Sequence, residues 1–263
     1  MKMNKEIKRD GQSTKIFDER SVETDYATLI PILKKGMRVL DVGCGTGAIS
    51  KGIAKYVGES GSVVGIDNTK HFIESGKESY ESVPNLELIH TDLFNYKPDE
   101  KFDLIVAARV LQWLSNPKEA LSILKGMLKP TGQISILDYN HGALEWKPNP
   151  PESMAKFYKT FLKWRADAGM NNQIAEDLAD YFKEVGFHDI EVLNSDEVYK
   201  RGDSNFTSKV AIWSKVAGSS QMVEEGYIKD EDRLQAIEDY NKWIDTDAQL
   251  MIMKLKEVRG KTE

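Results

Sequence analysis

Cysteine, histidine and long apolar runs are scarce in this chain. Its single cysteine, Cys44, rules out an internal disulfide, so a reducing compartment is expected. The longest apolar runs, such as residues 104–108, are far too short to span a bilayer, and the polar amino terminus lacks the apolar core of a signal peptide. We therefore predict a cytoplasmic protein without membrane insertion. The four histidines and one cysteine have no metal-ligand spacing, so no metal site is predicted.

Positive charge is also limited. The 36 Lys and Arg residues are outnumbered by 42 Asp and Glu residues, which gives a net charge of −6. This balance, without a basic stripe, argues against nucleic acid as a partner. The 263 residues are 40% hydrophobic and 30% charged, as in ordinary folded proteins. The length suits one large α/β domain with a modest cap.

Strand and helix patterns alternate between residues 37 and 140. Strands are predicted at 37–42, 62–67, 86–90, 102–107 and 133–138. One helix is predicted at 48–57, and another starts at Asn116-Pro117, a favoured N-cap and first-position pair. Strands without polar alternation, separated by helices, indicate a parallel sheet covered on both faces. The right-handed crossover rule makes this a doubly wound α/β fold.

The second half of the chain has a different pattern. We predict a helical substrate cap over residues 141–185 and 203–246, with a strand-like run at 188–193 between them and a final strand at 250–259. The cap contains an aromatic stripe that is first a packing face and alternatively an apolar acceptor pocket: Phe157, Tyr158, Phe161 and Trp164. With residues 1–36 as an N-terminal helical segment, the whole chain is predicted to be a single domain.

Three features that could bind a ligand lie at the ends of the predicted strands. The first is the turn D-V-G-C-G-T-G at residues 41–47, the second is Asp67 and the third is Asp92. Ligands of an open α/β sheet bind beyond the carboxyl ends of its strands. The three features are therefore predicted to meet in one ligand site.

Each feature suits part of a nucleoside with a positively charged end. Gly43 and Gly45 permit a tight turn and a close approach of backbone to ligand. A carboxylate at Asp67 can accept both ribose hydroxyls, and one at Asp92 can accept from the adenine amine. Asp41 would favour a cation, and S-adenosylmethionine (AdoMet) has both an ammonium and a sulfonium.

A nicotinamide dinucleotide fits the same turn less well. Its fingerprint is G-x-G-x-x-G, whereas residues 43–47 have the spacing G-x-G-x-G. Asp41, two residues before the first glycine, would also place negative charge beside a pyrophosphate. An NAD(P)-dependent Rossmann oxidoreductase is therefore the alternative hypothesis.

Several segments resemble motifs of the class I AdoMet-dependent methyltransferases. They are V-L-D-V-G-C-G-T-G at 39–47, G-I-D at 65–67, T-D-L at 91–93, F-D-L-I-V at 102–106, V-L-Q-W-L at 110–114 and L-K-P-T-G-Q at 128–133. Thr131 stands where the family usually has glycine. More narrowly, the chain resembles the methyltransferases grouped with ubiquinone and menaquinone biosynthesis. The resemblance implies a seven-stranded, mostly parallel Rossmann-like sheet, with residues 250–258 as an antiparallel last strand.

The resemblance also implies the cofactor, AdoMet, and further contacts to it. Arg20 resembles a family position near the methionine carboxylate. Asn68 follows the ribose-binding acid, Leu93 stands beside the adenine-binding acid, and backbone around Ala108 flanks the methionine end.

The implied reaction is transfer of a methyl group to an oxygen, nitrogen, carbon or sulfur atom of a small-molecule acceptor. His141 follows the fifth strand, on the acceptor side, and is a candidate general base; the alternative is a polar loop residue. A non-catalytic AdoMet-binding protein is a further hypothesis. No feature of the sequence specifies the acceptor or the oligomeric state.

Overall fold

Within residues 20–263, which the computed structural model describes, eight strands form one sheet. The strands are β1 (Arg38–Val42), β2 (Ser62–Asp67), β3 (Leu86–His90), β4 (Phe102–Ala108), β5 (Leu128–Lys147), β6 (His188–Asn194), β7 (Glu197–Lys200) and β8 (Leu250–Lys261). Their order is β3-β2-β1-β4-β5-β8-β6, with β7 also paired to β8. Strands β1 to β5 pair in parallel. Strand β8 is antiparallel to its neighbours β5, β6 and β7.

Helices connect the strands and continue through the second half of the chain. They are α1 (Val22–Asp25), α2 (Ala48–Val57), α3 (Lys70–Ser79), α4 (Pro117–Met127), α5 (Glu152–Asp167), α6 (Ile174–Val185), α7 (Phe206–Val210), α8 (Ile212–Ala217), α9 (Gln221–Glu224) and α10 (Asp230–Thr246). Two 3₁₀ helices span Ala27–Ile32 and Leu111–Trp113. No helix among residues 20–263 is both long and apolar enough to cross a membrane.

Two apolar cores lie on opposite faces of the sheet, as the doubly wound fold requires. Successive strand residues alternate between them: Val39 lies in the same core as Ile53 of α2, whereas Leu40 lies in the same core as Leu121 of α4. Helices α5, α8 and α10 contribute to the first core, and α6 contributes to the second. The predicted α/β architecture, with a mostly parallel sheet and an antiparallel last strand, is confirmed.

The strands of the second half of the sheet differ from the sequence-based prediction. Strand β5 continues to Lys147, so residues 141–147 are strand instead of the start of the helical cap. Its register shifts between Asn140 and Glu145, where the extra residues bulge out before pairing with β8 resumes. The four-residue strand β7 adds an eighth strand to the predicted seven, and β8 continues to Lys261.

The N-terminal segment is described only in part. Helix α1 and the following 3₁₀ helix lie within the predicted helical segment at 1–36. Residues 1–19 of that segment lie outside the described residues. The buried side chains of Val22, Tyr26 and Leu29 join the core beside α2, so this segment packs against the first half of the sheet.

Candidate active site

The glycine turn between β1 and α2 packs closely against the end of β2 and the Val110 side chain. Gly43, Gly45 and Gly47 all have positive φ, at 66°, 60° and 86°. The amides of Gly43 and Cys44 both donate to the carbonyl of Ile66, at 2.8 and 3.0 Å. At Gly43, a Cβ atom would stand 2.5 Å from a methyl group of the Val110 side chain. The turn therefore depends on left-handed backbone and on the absence of a side chain.

Asp67 ties the end of β2 to this turn. Its Oδ2 accepts from the Gly45 amide at 3.0 Å, and its Oδ1 accepts from the Thr69 amide at 2.8 Å. Asn68, between them, is exposed, and its carbonyl contacts the ring of His90. The carboxylate is thus held against the turn, and the exposed Asn68 follows it in the chain.

Asp92 lies at the same edge of the sheet. The Thr91 amide donates to the Asp67 carbonyl at 3.0 Å, which places the β3 end beside the β2 end. Asp92 Oδ1 accepts from the Phe94 amide at 2.8 Å, so this carboxylate also caps its own loop. Leu93 is buried beneath it. The predicted ribose and adenine positions are therefore neighbours.

A small pocket lies between the glycine turn, the end of β4 and the N-terminal segment. Its lining includes Asp41, Gly43, Ala108 and Arg20, with Ile49 of α2. A carboxylate and a guanidinium thus face one pocket. An ammonium and a carboxylate on the same ligand would find complementary charges there.

The acid in this pocket has an unusual protonation equilibrium. Asp41 is 3% exposed, and burial raises its pKa to about 7, with a further upward effect from the charge of Asp67. A hydrogen bond from the Ser50 hydroxyl, at 2.6 Å, opposes that rise. Burial and the neighbouring Arg109 lower the pKa of Arg20. A zwitterionic ligand would stabilise both charged forms.

Arg109 links the pocket to the second half of the sheet. Its φ is 64°, a left-handed conformation that is uncommon outside glycine and is often found in functional sites. Its buried guanidinium pairs with Glu197 of β7 and donates to the Tyr139 hydroxyl at 2.8 Å. Strand β7, which the sequence did not predict, therefore supplies a counterion at the end of β4.

His141 is buried, not a surface loop residue. It is 6% exposed and packs against the rings of Tyr139, Phe161 and Trp213. Burial, and secondarily the charge of Arg165, lower its pKa well below the usual value, so the imidazole is neutral near neutral pH.

The proton of that imidazole has a defined position. Gln112 Nε2 donates to the Arg109 carbonyl at 3.2 Å, which leaves Gln112 Oε1 as the acceptor facing His141 Nε2, 2.5 Å away. Nε2 must then bear the hydrogen, and Nδ1 keeps the lone pair.

Gln112 and Arg165 were not identified from the sequence. Gln112 stands within the V-L-Q-W-L segment, but nothing in the segment shows that its amide bridges two elements. Arg165 follows Tyr158 by seven residues and Phe161 by four, so it shares their helix face. The sequence did contain one signal for Arg165, because it is a charged residue on an otherwise apolar helix face.

Fold and site together define a class. A doubly wound sheet has a G-x-G-x-G turn, carboxylates at or just after the ends of β1, β2 and β3, and a pocket lined by an acid and an arginine. This is the architecture of a class I AdoMet-dependent methyltransferase.

Comparison with known proteins agrees. A family model described as a methyltransferase domain matches residues 33–203, more than half of the chain, and the chain belongs to that family. It is 29% identical over 175 residues to the demethylmenaquinone methyltransferase of Staphylococcus aureus, an alignment that covers 61% of this chain and 71% of the relative. The protein is thus an AdoMet-dependent methyltransferase. The alternative hypothesis of an NAD(P)-dependent oxidoreductase is wrong.

Two solved structures share the fold at low sequence identity. An AdoMet-dependent methyltransferase from Aquifex aeolicus has a TM-score of 0.56 and 20% identity, covering 97% of this chain and 100% of that one. A Haemonchus contortus phosphoethanolamine N-methyltransferase, solved with AdoMet, has a TM-score of 0.58 and 18% identity. That match covers 91% of this chain but only 52% of the other, so this chain spans about half its length.

Among residues 20–263, no group of three or more His, Cys, Asp or Glu side chains is arranged to hold a metal ion.

Proposed function

We propose that this enzyme transfers a methyl group to a small organic acceptor, with AdoMet bound along the carboxyl ends of β1, β2 and β3. The observation that supports this best is the pocket whose lining includes both Asp41 and Arg20. A buried acid near its protonation midpoint and a half-buried arginine fit the ammonium and carboxylate of the methionine end. Few other nucleoside ligands have both groups on one carbon.

Other residues would hold the remainder of the donor. Asp67 is positioned for the ribose hydroxyls, with Asn68 beside it, and Asp92 with Leu93 is positioned for adenine. Gly43 and Gly45 would pass close to the methionine end opposite Ala108. Each assignment follows from the strand end on which the residue lies.

Bound AdoMet supplies a methyl carbon already activated by its positive sulfur. The protein then needs to align the acceptor with that carbon and to exclude water. Aromatic side chains from the helices after β5 surround His141 and would provide the dry environment: Tyr158, Phe161 and Trp213. Where the acceptor carries a proton, His141 would remove it at Nδ1, while Gln112 holds the ring.

A small acceptor is favoured over a macromolecule. The aromatic layer encloses His141, which keeps only 6% of its surface exposed. A nucleic acid would require a basic approach surface, and the chain has a net charge of −6. We infer that the acceptor enters as a small, mostly apolar molecule.

Isothermal titration with AdoMet tests the donor site. Asp67→Ala should weaken binding about 10- to 100-fold, because charge-assisted hydrogen bonds to the ribose are lost. Asp180→Ala, which removes an exposed acid paired with Lys183, is the matched control and should bind as the wild type does. Unchanged affinity in Asp67→Ala would refute the assignment. Release of S-adenosylhomocysteine with a panel of acceptors then tests turnover.

A further inference from the structure

A buried arginine without a carboxylate partner lies next to His141. Arg165, on α5, is 0% exposed. Within residues 20–263 its hydrogen bonds go to uncharged oxygens: Nε donates to the Asn172 amide oxygen and Nη2 donates to the Gln112 carbonyl, both at 2.8 Å. Its Nη1 has no hydrogen-bond partner in this part of the chain. Burying a cation in this way is costly unless something compensates its charge.

The surroundings compensate that charge only in part. The guanidinium carbon lies 4.6 Å from the ring centroid of Trp113 and 5.4 Å from that of Phe161, which are cation–π distances. The carboxylate whose charge acts on Arg165 is Asp138, and its own pKa is raised to about 7 by burial. The two Asp138 oxygens already accept from the amides of Gln112 and Tyr139. Burial lowers the pKa of Arg165 to about 10, so the side chain remains a cation at neutral pH.

The position of this cation is on the acceptor side of the sheet. Asp138 follows Leu137, the last β5 residue paired in parallel with β4, so it stands at the carboxyl end of the sheet. Gln112 contacts Arg165 through its carbonyl and His141 through its side chain. A single residue therefore separates the guanidinium from the imidazole. The ring of Phe161 also contacts both side chains, at 5.9 Å from the His141 ring centroid and 5.4 Å from the Arg165 guanidinium carbon.

We propose that Arg165 binds an anionic oxygen group of the methyl acceptor, with the rings of Trp113 and Phe161 flanking that site. The acceptor is then a flat, mostly apolar molecule with a carboxylate or an ionised hydroxyl close to the atom that is methylated. The guanidinium has two N–H groups on Nη1 to offer, and an oxyanion supplies the missing counter-charge. This inference rests on the proposed function, because it places the acceptor beside His141.

Binding of three probes to the full-length protein saturated with S-adenosylhomocysteine tests this. The probes are 2-naphthoate, 2-naphthol and the neutral 2-naphthamide, each titrated by calorimetry at neutral and mildly alkaline pH. We expect the wild type to prefer an oxyanion over the amide by at least about tenfold. Preference for naphthoate at both pH values identifies a carboxylate, whereas naphthol binding that strengthens at alkaline pH identifies an ionised hydroxyl.

Variants separate a binding role from a packing role. Arg165→Met should bind all three probes with similar affinity, and Lys163→Met, which removes an exposed cation from the same helix, should behave as the wild type does. Arg165→Lys retains the positive charge but lacks the planar guanidinium with its paired N–H donors. It should bind the preferred oxyanion more weakly, by about fivefold or more. If Arg165→Met does not fold, the Arg165→Lys comparison decides.

Two results would overturn the proposal. One is a wild type that binds oxyanion and amide equally. The other is an oxyanion preference that persists unchanged in the Arg165 variants. Failure of the protein to bind S-adenosylhomocysteine would instead refute the proposed donor site, and calorimetry without probes measures that separately.

Discussion

Ser50 donates a 2.6 Å hydrogen bond to the buried carboxylate of Asp41, yet the pKa of Asp41 is still raised to about 7. Burial outweighs the hydrogen bond, and the negative charge of Asp67 raises the pKa further. Near neutral pH the group therefore exchanges between carboxylic acid and carboxylate. Two measurable consequences follow, one for ligand binding and one for stability.

AdoMet binding should strengthen as the pH rises through 7. Only the carboxylate form of Asp41 attracts an ammonium, and one pH unit below its pKa roughly a tenth of the molecules have that form. Affinity should therefore be about tenfold weaker near pH 6 than near pH 8, measured by calorimetry. Asp41→Asn should bind weakly at both pH values, with a much smaller dependence. An equal slope in wild type and variant would assign the titration to another group.

The ligand-free protein should lose stability as the pH rises from about 4 to about 7. The folded-state pKa of Asp41 is raised above its ordinary value of 3.8, so the native state holds a proton that the unfolded chain releases. That contribution is fully present below the unfolded-state pKa and is lost progressively until the pH has risen through the folded-state pKa. From pH 5 to pH 8 the free energy of unfolding should fall by about 2–3 kcal/mol from this group alone.

Asp41→Asn isolates this contribution, because the asparagine does not titrate. Denaturant unfolding at several pH values should show a flatter curve for the variant than for the wild type. Asp138, whose pKa is also raised to about 7, titrates over the same range and remains in both proteins. Parallel curves for the two proteins would contradict the assigned pKa of Asp41.

His141 should be a neutral imidazole with its hydrogen on Nε2. The Gln112 amide dictates this tautomer, since its nitrogen is already committed to the Arg109 carbonyl. Long-range ¹H–¹⁵N spectra of labelled protein would report the tautomer directly. We expect His141 to take up a proton only below the ordinary imidazole range, because burial lowers its pKa. Gln112→Leu should mix the tautomers, and a dominant Nδ1–H form in the wild type would contradict the proposed base.

Most of the proposed AdoMet-binding half of the site could be predicted from the sequence, because its residues belong to local motifs. Each proposed donor residue belongs to a short motif at a strand end, and parallel strands bring those ends together without further information. Asp41, Asp67 and Asp92 could thus be assigned to one edge before any contact was known. The last strand was also predictable, because the apolar run at 250–258 is isolated in the sequence.

The acceptor half depends on contacts between residues far apart in the chain. Glu197 pairs with Arg109 across 88 positions, and Arg165 bonds to the Gln112 carbonyl across 53. No local pattern encodes such pairs. The short strand β7 was missed because four residues give too little alternation to detect, and residues 141–147 were misassigned because a bulge interrupts β5.

The glycine turn offers a test of fold and donor site together. Gly43→Ala would force a side chain onto left-handed backbone, at φ 66°, and against the Val110 side chain. The combined cost should be about 2–4 kcal/mol of unfolding free energy, part from backbone strain and part from the clash. Gly126→Ala is the matched control: it has ordinary φ and no atom within 4 Å, so alanine should stabilise α4 slightly.

A second change separates the two costs at Gly43. Adding Val110→Ala removes the methyl groups that the new Cβ would meet and should recover the steric part, leaving a backbone cost of about 1–2 kcal/mol. AdoMet affinity should remain reduced in the double variant, because the added methyl would still occupy the turn that faces the ligand. Equal stability of single and double variants would show that the clash is relieved by other movements. Wild-type AdoMet affinity in either variant would place the methionine end away from Gly43, and with it away from the pocket between Asp41 and Arg20.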